Sequence, residues 1–145
     1  MNTRRYVAAL ATAAALAGGI AAAAPAQAAT STYYINTKSL SGNTQITGTY
    51  RYRVTGWTSS GEAIYGGSFS NTGARDKISG NGLQAVFALS YYSWSGGAWH
   101  YHSRYAVKVN SFGSWTFNNK KNIKPWACDR KVGTTKLINC RAPWK

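Results

Sequence analysis

The sequence predicts an all-β fold, a small antiparallel β-sandwich or barrel of about six to eight strands, preceded by a cleavable N-terminal signal helix. Two observations predict the β domain. After residue 28, apolar and polar residues alternate with period two, and no stretch has the three-four spacing of an amphipathic helix. Turns rich in Gly, Asn and Ser separate the alternating runs. The pattern does not distinguish an open sandwich from a closed barrel.

The N-terminus has the features of an export signal. Arg4 and Arg5 precede an apolar, Ala-rich run over residues 7–24, and Ala26-Gln27-Ala28 is typical of a signal-peptidase site. We therefore predict a signal peptide over residues 1–28 and a single secreted β domain over residues 29–145, with no transmembrane segment in the mature chain. The run is short for a membrane anchor and ends at the cleavage site. The signal sequence does not distinguish export by the Sec pathway from export by the twin-arginine pathway.

Two strands and their connecting turn are predicted in the first half of the domain. Residues 45–57 alternate between apolar side chains and Thr or Arg, as in a half-buried strand, and residues 63–69 are the expected returning partner across a Ser-Ser-Gly turn. Residues 70–73 and 79–82 are so rich in Gly, Asn and Ser that we predict loops there.

The clearest predicted element is a long hairpin of residues 83–92 and 99–109 around Gly96-Gly97. Alternation predicts an aromatic face towards the core and a basic face towards solvent or a ligand. The expected core face comprises Trp99, Tyr101, Tyr105, Val107 and Val109. The expected basic face comprises His100, His102, Arg104 and Lys108.

The C-terminal part is predicted as a turn at residues 111–114, a short strand at 115–117, a polar basic stretch at 118–124 and a break at Pro125. Residues 127–132 and 135–140 then flank a Gly-Thr turn. Cys128 and Cys140 are the only cysteines, so an exported chain has one intramolecular pairing available, and we predict a disulfide between them.

Few residues are available for catalysis. The three acids, Glu62, Asp76 and Asp129, are each expected to be exposed near a basic residue. His100 and His102 lie about 7 Å apart on one strand face, but a metal would need a third ligand, and solvent-facing histidines are the favoured interpretation. We predict no cofactor, metal site or catalytic residue. One enzymatic alternative remains, a small secreted ribonuclease-like enzyme.

That ribonuclease hypothesis needs a base, an acid and cations around a phosphate. Glu62 with His100 or His102 and Arg51 or Arg53 could supply them. The small microbial ribonucleases carry a helix packed on a sheet, and no helix is predicted after residue 28. We therefore favour a protein that is not an enzyme.

Charge gives the main functional indication. Residues 29–145 contain 15 Lys and Arg against three acids, and eight of the 15 lie in the last 26 positions, the last of them Lys145. Such a concentration favours an anionic partner, and interleaved tryptophans can stack or lie at a lipid interface. The predicted binding residues are Lys120, Lys121, Lys124, Trp126, Arg130, Lys131, Lys136, Arg141 and Trp144, followed by His100, His102, Arg104 and Lys108.

We therefore expect a secreted, basic, non-catalytic protein that binds an anionic polymer or surface, such as a cell-wall phosphate polymer, an acidic polysaccharide or nucleic acid. An antimicrobial protein or toxin that makes peripheral contact with anionic membranes is the second hypothesis. The ribonuclease is the third. Charge that only keeps the protein soluble, with Trp126 and Trp144 packed at the end of the fold, is the remaining interpretation.

Overall fold

The computed structural model describes residues 29–144, which form one open antiparallel sheet of seven strands. The all-β prediction and the predicted strand number are confirmed. The proposed signal helix over residues 1–28 and Lys145 lie outside the described residues. The strands are β1 (Ser31–Lys38), β2 (Thr44–Trp57), β3 (Ala63–Asp76), β4 (Leu83–Ser95), β5 (Ala98–Val109), β6 (Phe112–Lys131) and β7 (Leu137–Arg141).

The sheet is organised around the long strand β6, and its order is β1-β2-β3-β6-β4-β5, with β7 also paired to β6. The first half of β6 pairs with β3, where Phe69 lies opposite Trp115. The second half pairs with β4, where Leu89 lies opposite Pro125. The sheet curls, so that the Phe87 ring of β4 meets the Phe69 ring of β3 at 5.8 Å. One continuous curled sheet therefore encloses the core.

The core lies on the concave face of this sheet. Phe69 is its centre, with the rings of Tyr50 and Trp115 each stacked on it at 4.9 Å. Burial of this much apolar surface is the main source of stability for a domain of this size. The buried apolar residues of this cluster are Ile35, Ile46, Tyr50, Phe69, Ala74, Ala85, Phe87, Leu89 and Ala127.

A second apolar cluster holds Val86, Ala88 and Cys128, which alternate with the concave-face residues along β4 and β6. The predicted disulfide is confirmed. It joins Cys128 of β6 to Cys140 of β7, with the two Cα atoms 4.1 Å apart. The bond therefore fixes the short strand β7 to the sheet beside the second cluster.

The predicted loop at residues 70–73 is wrong, because β3 continues through it to Asp76. Asn71 adopts a left-handed conformation (φ 45°) at a register shift against β6. Gly73 is buried, and a Cβ there would lie 2.0 Å from the carbonyl oxygen of Ser111. These polar and small residues thus form a bulge and a close strand contact rather than a loop.

The predicted break at Pro125 is also wrong. Residues 118–124 and Pro125 belong to the uninterrupted strand β6. Asn119 and Asn122 take up the bending of the strand in left-handed conformations (φ 55° and 52°). Asparagine tolerates this conformation better than most residues, so the strand bends without ending.

The predicted core face of the β4–β5 hairpin is only partly correct. Trp99, Val107 and Val109 are half-buried, but Tyr101 and Tyr105 are 59% and 48% exposed. Two register shifts interrupt the β4–β5 pairing, and each one displaces the alternation of side chains that the sequence pattern assumes.

Candidate functional site: a cation–aromatic face

The predicted basic residues do not form one patch. Along β4, Lys131 of β6 lies opposite Leu83 and Lys120 lies opposite Ser93, ten residues further on. The two lysines therefore lie at opposite ends of the β4–β6 pairing. We therefore describe the basic residues of β6 and β7 as two groups, one at each end of the strand pair.

Trp126 is the centre of the first group. Its indole is half-buried, and its Nε1–H donates a hydrogen bond to Ser90 Oγ at 3.0 Å. Two cations lie over the ring, the Arg104 guanidinium at 4.8 Å and the Lys124 ammonium at 5.1 Å from the centroid. Both distances are within the range of cation–π attraction. Three neighbouring strands thus position two cations on one fixed indole.

Lys121 extends this arrangement along the sheet. Its ammonium lies 4.3 Å from the Trp99 ring and 5.7 Å from the Tyr92 ring. Tyr92 follows Ser90 by two residues on β4 and therefore lies on the same face. We call this surface the cation–aromatic face. The Tyr101 ring packs beside the Tyr92 ring on this surface, with their centroids 4.9 Å apart. The members of this face are Tyr92, Trp99, Tyr101, Arg104, Lys121, Lys124 and Trp126.

Glu62 contributes the negative charge at the end of this face. Its carboxylate pairs with the Lys121 ammonium at 2.7 Å and accepts a hydrogen bond from Trp99 Nε1 at 2.8 Å. The hydrogen bond from Lys121, and then that from Trp99, hold the pKa of Glu62 below its usual value. Glu62 thereby connects the β2–β3 turn to the β4–β5 hairpin, a contact that sequence reasoning missed.

The predicted basic face of the hairpin is divided in the structure. Arg104 lies over Trp126, whereas Lys108 lies 5.6 Å from the Trp115 ring of the core side. His102 stacks on Tyr91 at 4.6 Å and hydrogen-bonds Ser93 Oγ. The same register shifts that expose Tyr101 and Tyr105 explain the division, because they change which face each side chain occupies. Exposed His100 lies near the carbonyl of Ser95.

The second basic group lies at the opposite end of β6. Arg130 is half-buried and donates two hydrogen bonds to Gln84 Oε1, at 2.9 and 3.2 Å. Lys131 and Lys136 are exposed, and neither of them lies over an aromatic ring of the described chain. Arg141 is also exposed, but it pairs with Ala127 near the middle of the β4–β6 pairing and does not belong to this group. This group has charge without the aromatic partners of the first group.

Lys120 and Trp144 belong to the concave side of the sheet. The Lys120 ammonium lies 4.6 Å from the Tyr91 ring, and burial lowers the pKa of Lys120. Trp144 packs against Tyr33 with their ring centroids 5.8 Å apart. Trp144 therefore belongs to a groove on this side and not to the cation–aromatic face.

This groove has a volume of about 400 Å³ and is formed by four tyrosines with neighbours from β6 and the C-terminus. We call it the tyrosine groove. Sequence reasoning missed it, although the spacing of Tyr50 and Tyr52 on one strand face was a signal. Its residues are Tyr33, Tyr50, Tyr52, Tyr65, Asn122, Ile123 and Trp144.

The predicted exposure of Asp129 is wrong, since its side chain is fully buried. Its Oδ2 accepts hydrogen bonds from Ser41 Oγ at 2.5 Å and Asn139 Nδ2 at 2.8 Å, and its Oδ1 lies 2.8 Å from Thr44 Oγ1. Burial by itself raises the pKa of Asp129, but the hydrogen bonds outweigh it and hold the pKa below its usual value. Asp129 is therefore an ionised structural residue.

The geometry that the ribonuclease hypothesis needs does not form among the described residues. Glu62 contacts Lys121 and Trp99, not an imidazole or an arginine. Arg51 and Arg53 line a separate groove with Thr116 and Asn118. Over residues 29–144, no three His, Cys, Asp or Glu side chains cluster as metal ligands.

No helix between residues 29 and 144 is long and apolar enough to cross a membrane. Comparison of the chain with protein-family models, curated protein sequences and solved structures gave no significant match.

Proposed function

We propose that this protein is a secreted, non-catalytic binding protein that attaches to an anionic polymer through its cation–aromatic face. The observation that supports this proposal is the pair of cations over Trp126, at 4.8 and 5.1 Å. The indole is itself fixed by its hydrogen bond to Ser90. The cations are thereby preorganised, which lowers the entropy that side chains lose on binding.

The charge balance of this face also supports an anionic ligand. Among the described residues, the pair of Lys121 and Glu62 is the only ion pair within 4.0 Å. Arg104 and Lys124 are thus held by a ring and have no carboxylate to neutralise them. Their N–H groups can donate charge-assisted hydrogen bonds to phosphate, sulfate or carboxylate oxygens.

The arrangement favours contacts to the charged groups of the polymer rather than stacking on its bases. The Trp126 ring is covered by its own two cations and is therefore a support for charge, not a free platform for a nucleobase. A phosphate polymer or an acidic polysaccharide fits this chemistry, and nucleic acid would be bound through its backbone.

The experiment is a titration with heparin and with duplex DNA over a series of salt concentrations. The first variant carries Arg104→Ala and Lys124→Ala, and the control carries Lys131→Ala and Lys136→Ala in the second basic group. Both changes remove two positive charges. We expect the first variant to lower the slope of log affinity against log salt by about 2, because each lost charge contact lowers it by about 1.

The control separates a defined site from general charge. We expect it to change the slope by less than half as much, since its lysines have no aromatic support in the structure. Equal losses in the two variants would mean that net charge alone attracts the polymer, and the proposed face would be wrong.

One observation favours the second hypothesis, an antimicrobial protein or toxin that contacts anionic membranes. Trp57, at the end of β2, is 66% exposed, and the neighbouring turn is connected through Glu62 to Trp99 of the β4–β5 hairpin. Exposed tryptophans near cations are typical of interfacial contacts. Dye leakage from anionic but not neutral vesicles, reduced by Trp57→Ala, would support it. Equal dye leakage from anionic and neutral vesicles would contradict this hypothesis.

A further inference from the structure

The tyrosine groove differs in chemistry from the cation–aromatic face, and we infer that it binds a neutral pyranose ring, such as one unit of an oligosaccharide. None of its seven lining residues carries a charge. Its volume of about 400 Å³ lies in the range of small-ligand sites, about 300–1,000 Å³. This inference does not depend on the proposed binding of an anionic polymer.

The rings form a surface that suits a flat ligand. Tyr33 and Tyr52 are nearly parallel, with an interplanar angle of 7° and centroids 5.9 Å apart. Tyr65 meets Tyr52 edge-on at 76° and 5.5 Å, and Trp144 is tilted by 40° against Tyr33. Rings in two orientations can therefore contact both a face and an edge of the same ligand.

A pyranose ring matches this surface because its C–H groups form an apolar face, whereas its hydroxyls project from the rim. The C–H face can pack on the tyrosine and tryptophan rings, which bury large apolar areas with little loss of side-chain entropy. The phenol hydroxyls and the Asn122 amide at the groove can then exchange hydrogen bonds with the sugar hydroxyls.

Tyr50 gives a second indication of a polar ligand. This residue is only 6% exposed and lines the groove. Its hydroxyl can both donate a hydrogen bond to a ligand hydroxyl in the groove and accept one from it. Burial also raises the pKa of Tyr50, so its hydroxyl remains a neutral donor and acceptor.

The charge of the protein argues against the other common ligand of an aromatic cage, a quaternary ammonium group. Such cages attract cations through their ring faces. Here the groove has no carboxylate, and the nearby Lys120 adds a positive charge beside Ile123, with which it lines the adjoining cavity. The positive field of the whole chain further disfavours a cationic ligand.

The test uses cellotriose, chitotriose and maltotriose as probes with the protein of residues 29–145, followed by NMR and tryptophan fluorescence. We expect at least one probe to bind saturably, and Tyr33→Ala to weaken it about tenfold, since an aromatic contact contributes up to about 1.5 kcal/mol. Tyr34→Ala is the matched control. Tyr34 adjoins Tyr33 on β1 but is 81% exposed and outside the groove.

A second variant removes the hydroxyl and keeps the ring. We expect Tyr50→Phe to fold and to weaken sugar binding severalfold, because one ligand hydroxyl loses its partner. Sugar affinity should be unchanged between 50 and 500 mM salt, in contrast to polymer binding at the cation–aromatic face. Loss of sugar binding at high salt would place the ligand on the charged surface instead.

Three results would overturn the inference: no saturable binding of any of the three probes to folded protein, equal effects of Tyr33→Ala and Tyr34→Ala, or binding of choline in place of the sugars. Each of them leaves the polyanion proposal intact. Conversely, sugar binding that survives Arg104→Ala with Lys124→Ala while heparin binding is lost would establish two independent sites.

Discussion

Replacement of Asp129 by alanine should destabilise the fold more than any other loss of a carboxylate. Asp129 connects two distant parts of the chain, since Ser41 lies in the β1–β2 turn and Asn139 lies in β7. A backbone hydrogen bond from Leu40 to Asn139, at 2.8 Å, joins the same two segments. The carboxylate therefore holds the turn of the first hairpin against the last strand.

The size of the effect follows from these contacts. Hydrogen bonds to a charged group contribute about 1.5–3 kcal/mol each. The bonds from Ser41 and Asn139 are lost outright, whereas the Thr44 hydroxyl can turn to the Cys128 carbonyl, 2.7 Å away. Alanine also removes the cost of burying a charge. We therefore expect Asp129→Ala to lower the free energy of unfolding by about 3 kcal/mol.

Urea unfolding followed by tryptophan fluorescence measures this change. With a slope of about 1.5 kcal/mol per molar urea, the midpoint should fall by about 2 M. Asp76→Ala is the control, because Asp76 accepts one hydrogen bond, from the Ile78 amide, at an exposed turn, and its loss should cost less than about 1 kcal/mol. Equal midpoints for the two variants would refute the structural role of Asp129.

The same pair of variants gives a pH dependence. The pKa of Asp129 is lower in the folded protein than in the unfolded chain, so its contribution is complete above the usual aspartate pKa, about 3.9, and is lost as pH falls through the lower value. We expect the stability difference between wild type and Asp129→Ala to be constant at neutral pH and to shrink below about pH 4. A difference that grows on acidification would contradict this sign.

Three further predictions concern other parts of the molecule. Gly67→Ala should lower the free energy of unfolding, measured with urea, by at least about 2 kcal/mol, because the new Cβ would lie 2.0 Å from a backbone oxygen. Gly56→Ala is the control and should cost much less, since a Cβ there meets no atom within 4 Å. Similar losses in the two variants would refute the close contact at Gly67. Replacing Cys128 and Cys140 by alanine should lower the free energy of unfolding by about 3 kcal/mol relative to the oxidised wild type, and reduction of the wild type should cause a similar loss. A urea midpoint equal to that of the oxidised wild type would contradict this. An NMR titration should find the pKa of Glu62 below its usual value, and Lys121→Ala should raise it. A pKa that is the same in this variant and in the wild type would show that Lys121 does not cause the shift.

The parts of the fold that the sequence predicted are those with uninterrupted alternation. Strand β2 and the β4–β5 hairpin were predicted with nearly correct bounds because their apolar residues repeat every second position between glycine-rich turns. Strand β1 was not predicted. Its Thr32, Tyr33 and Tyr34 are all exposed at the edge of the sheet, so its alternation is weak.

The wrong predictions have a common cause: a local sequence pattern does not show which distant residues a segment contacts in the folded protein. Residues 70–73 and Pro125 look like strand breakers, but bulges and left-handed asparagines keep β3 and β6 continuous. The burial of Asp129 depends on Ser41, which is 88 residues away in the chain. Only the folded sheet brings that hydroxyl to the carboxylate.

The candidate site was predicted in part. The sequence placed Trp126 close to Lys124 in the chain, but the predicted break at Pro125 lay between them, so a shared strand face was not predicted. It did not predict that Arg104 of another strand covers the same ring, or that Lys131 and Lys136 lie at the far end of the sheet. The tyrosine groove needs side chains from β1, β2, β3 and β6 and from Trp144, and no single segment of the sequence contains that arrangement.

An NMR titration of the protein with heparin at moderate salt tests directly whether the polymer binds at the cation–aromatic face. We expect the signals of the Trp126 indole N–H and the Arg104 guanidinium to shift first and to saturate together, while the amide signals around Lys131 and Lys136 barely move. Shifts of equal size at both ends of β6, without saturation at Trp126, would contradict it.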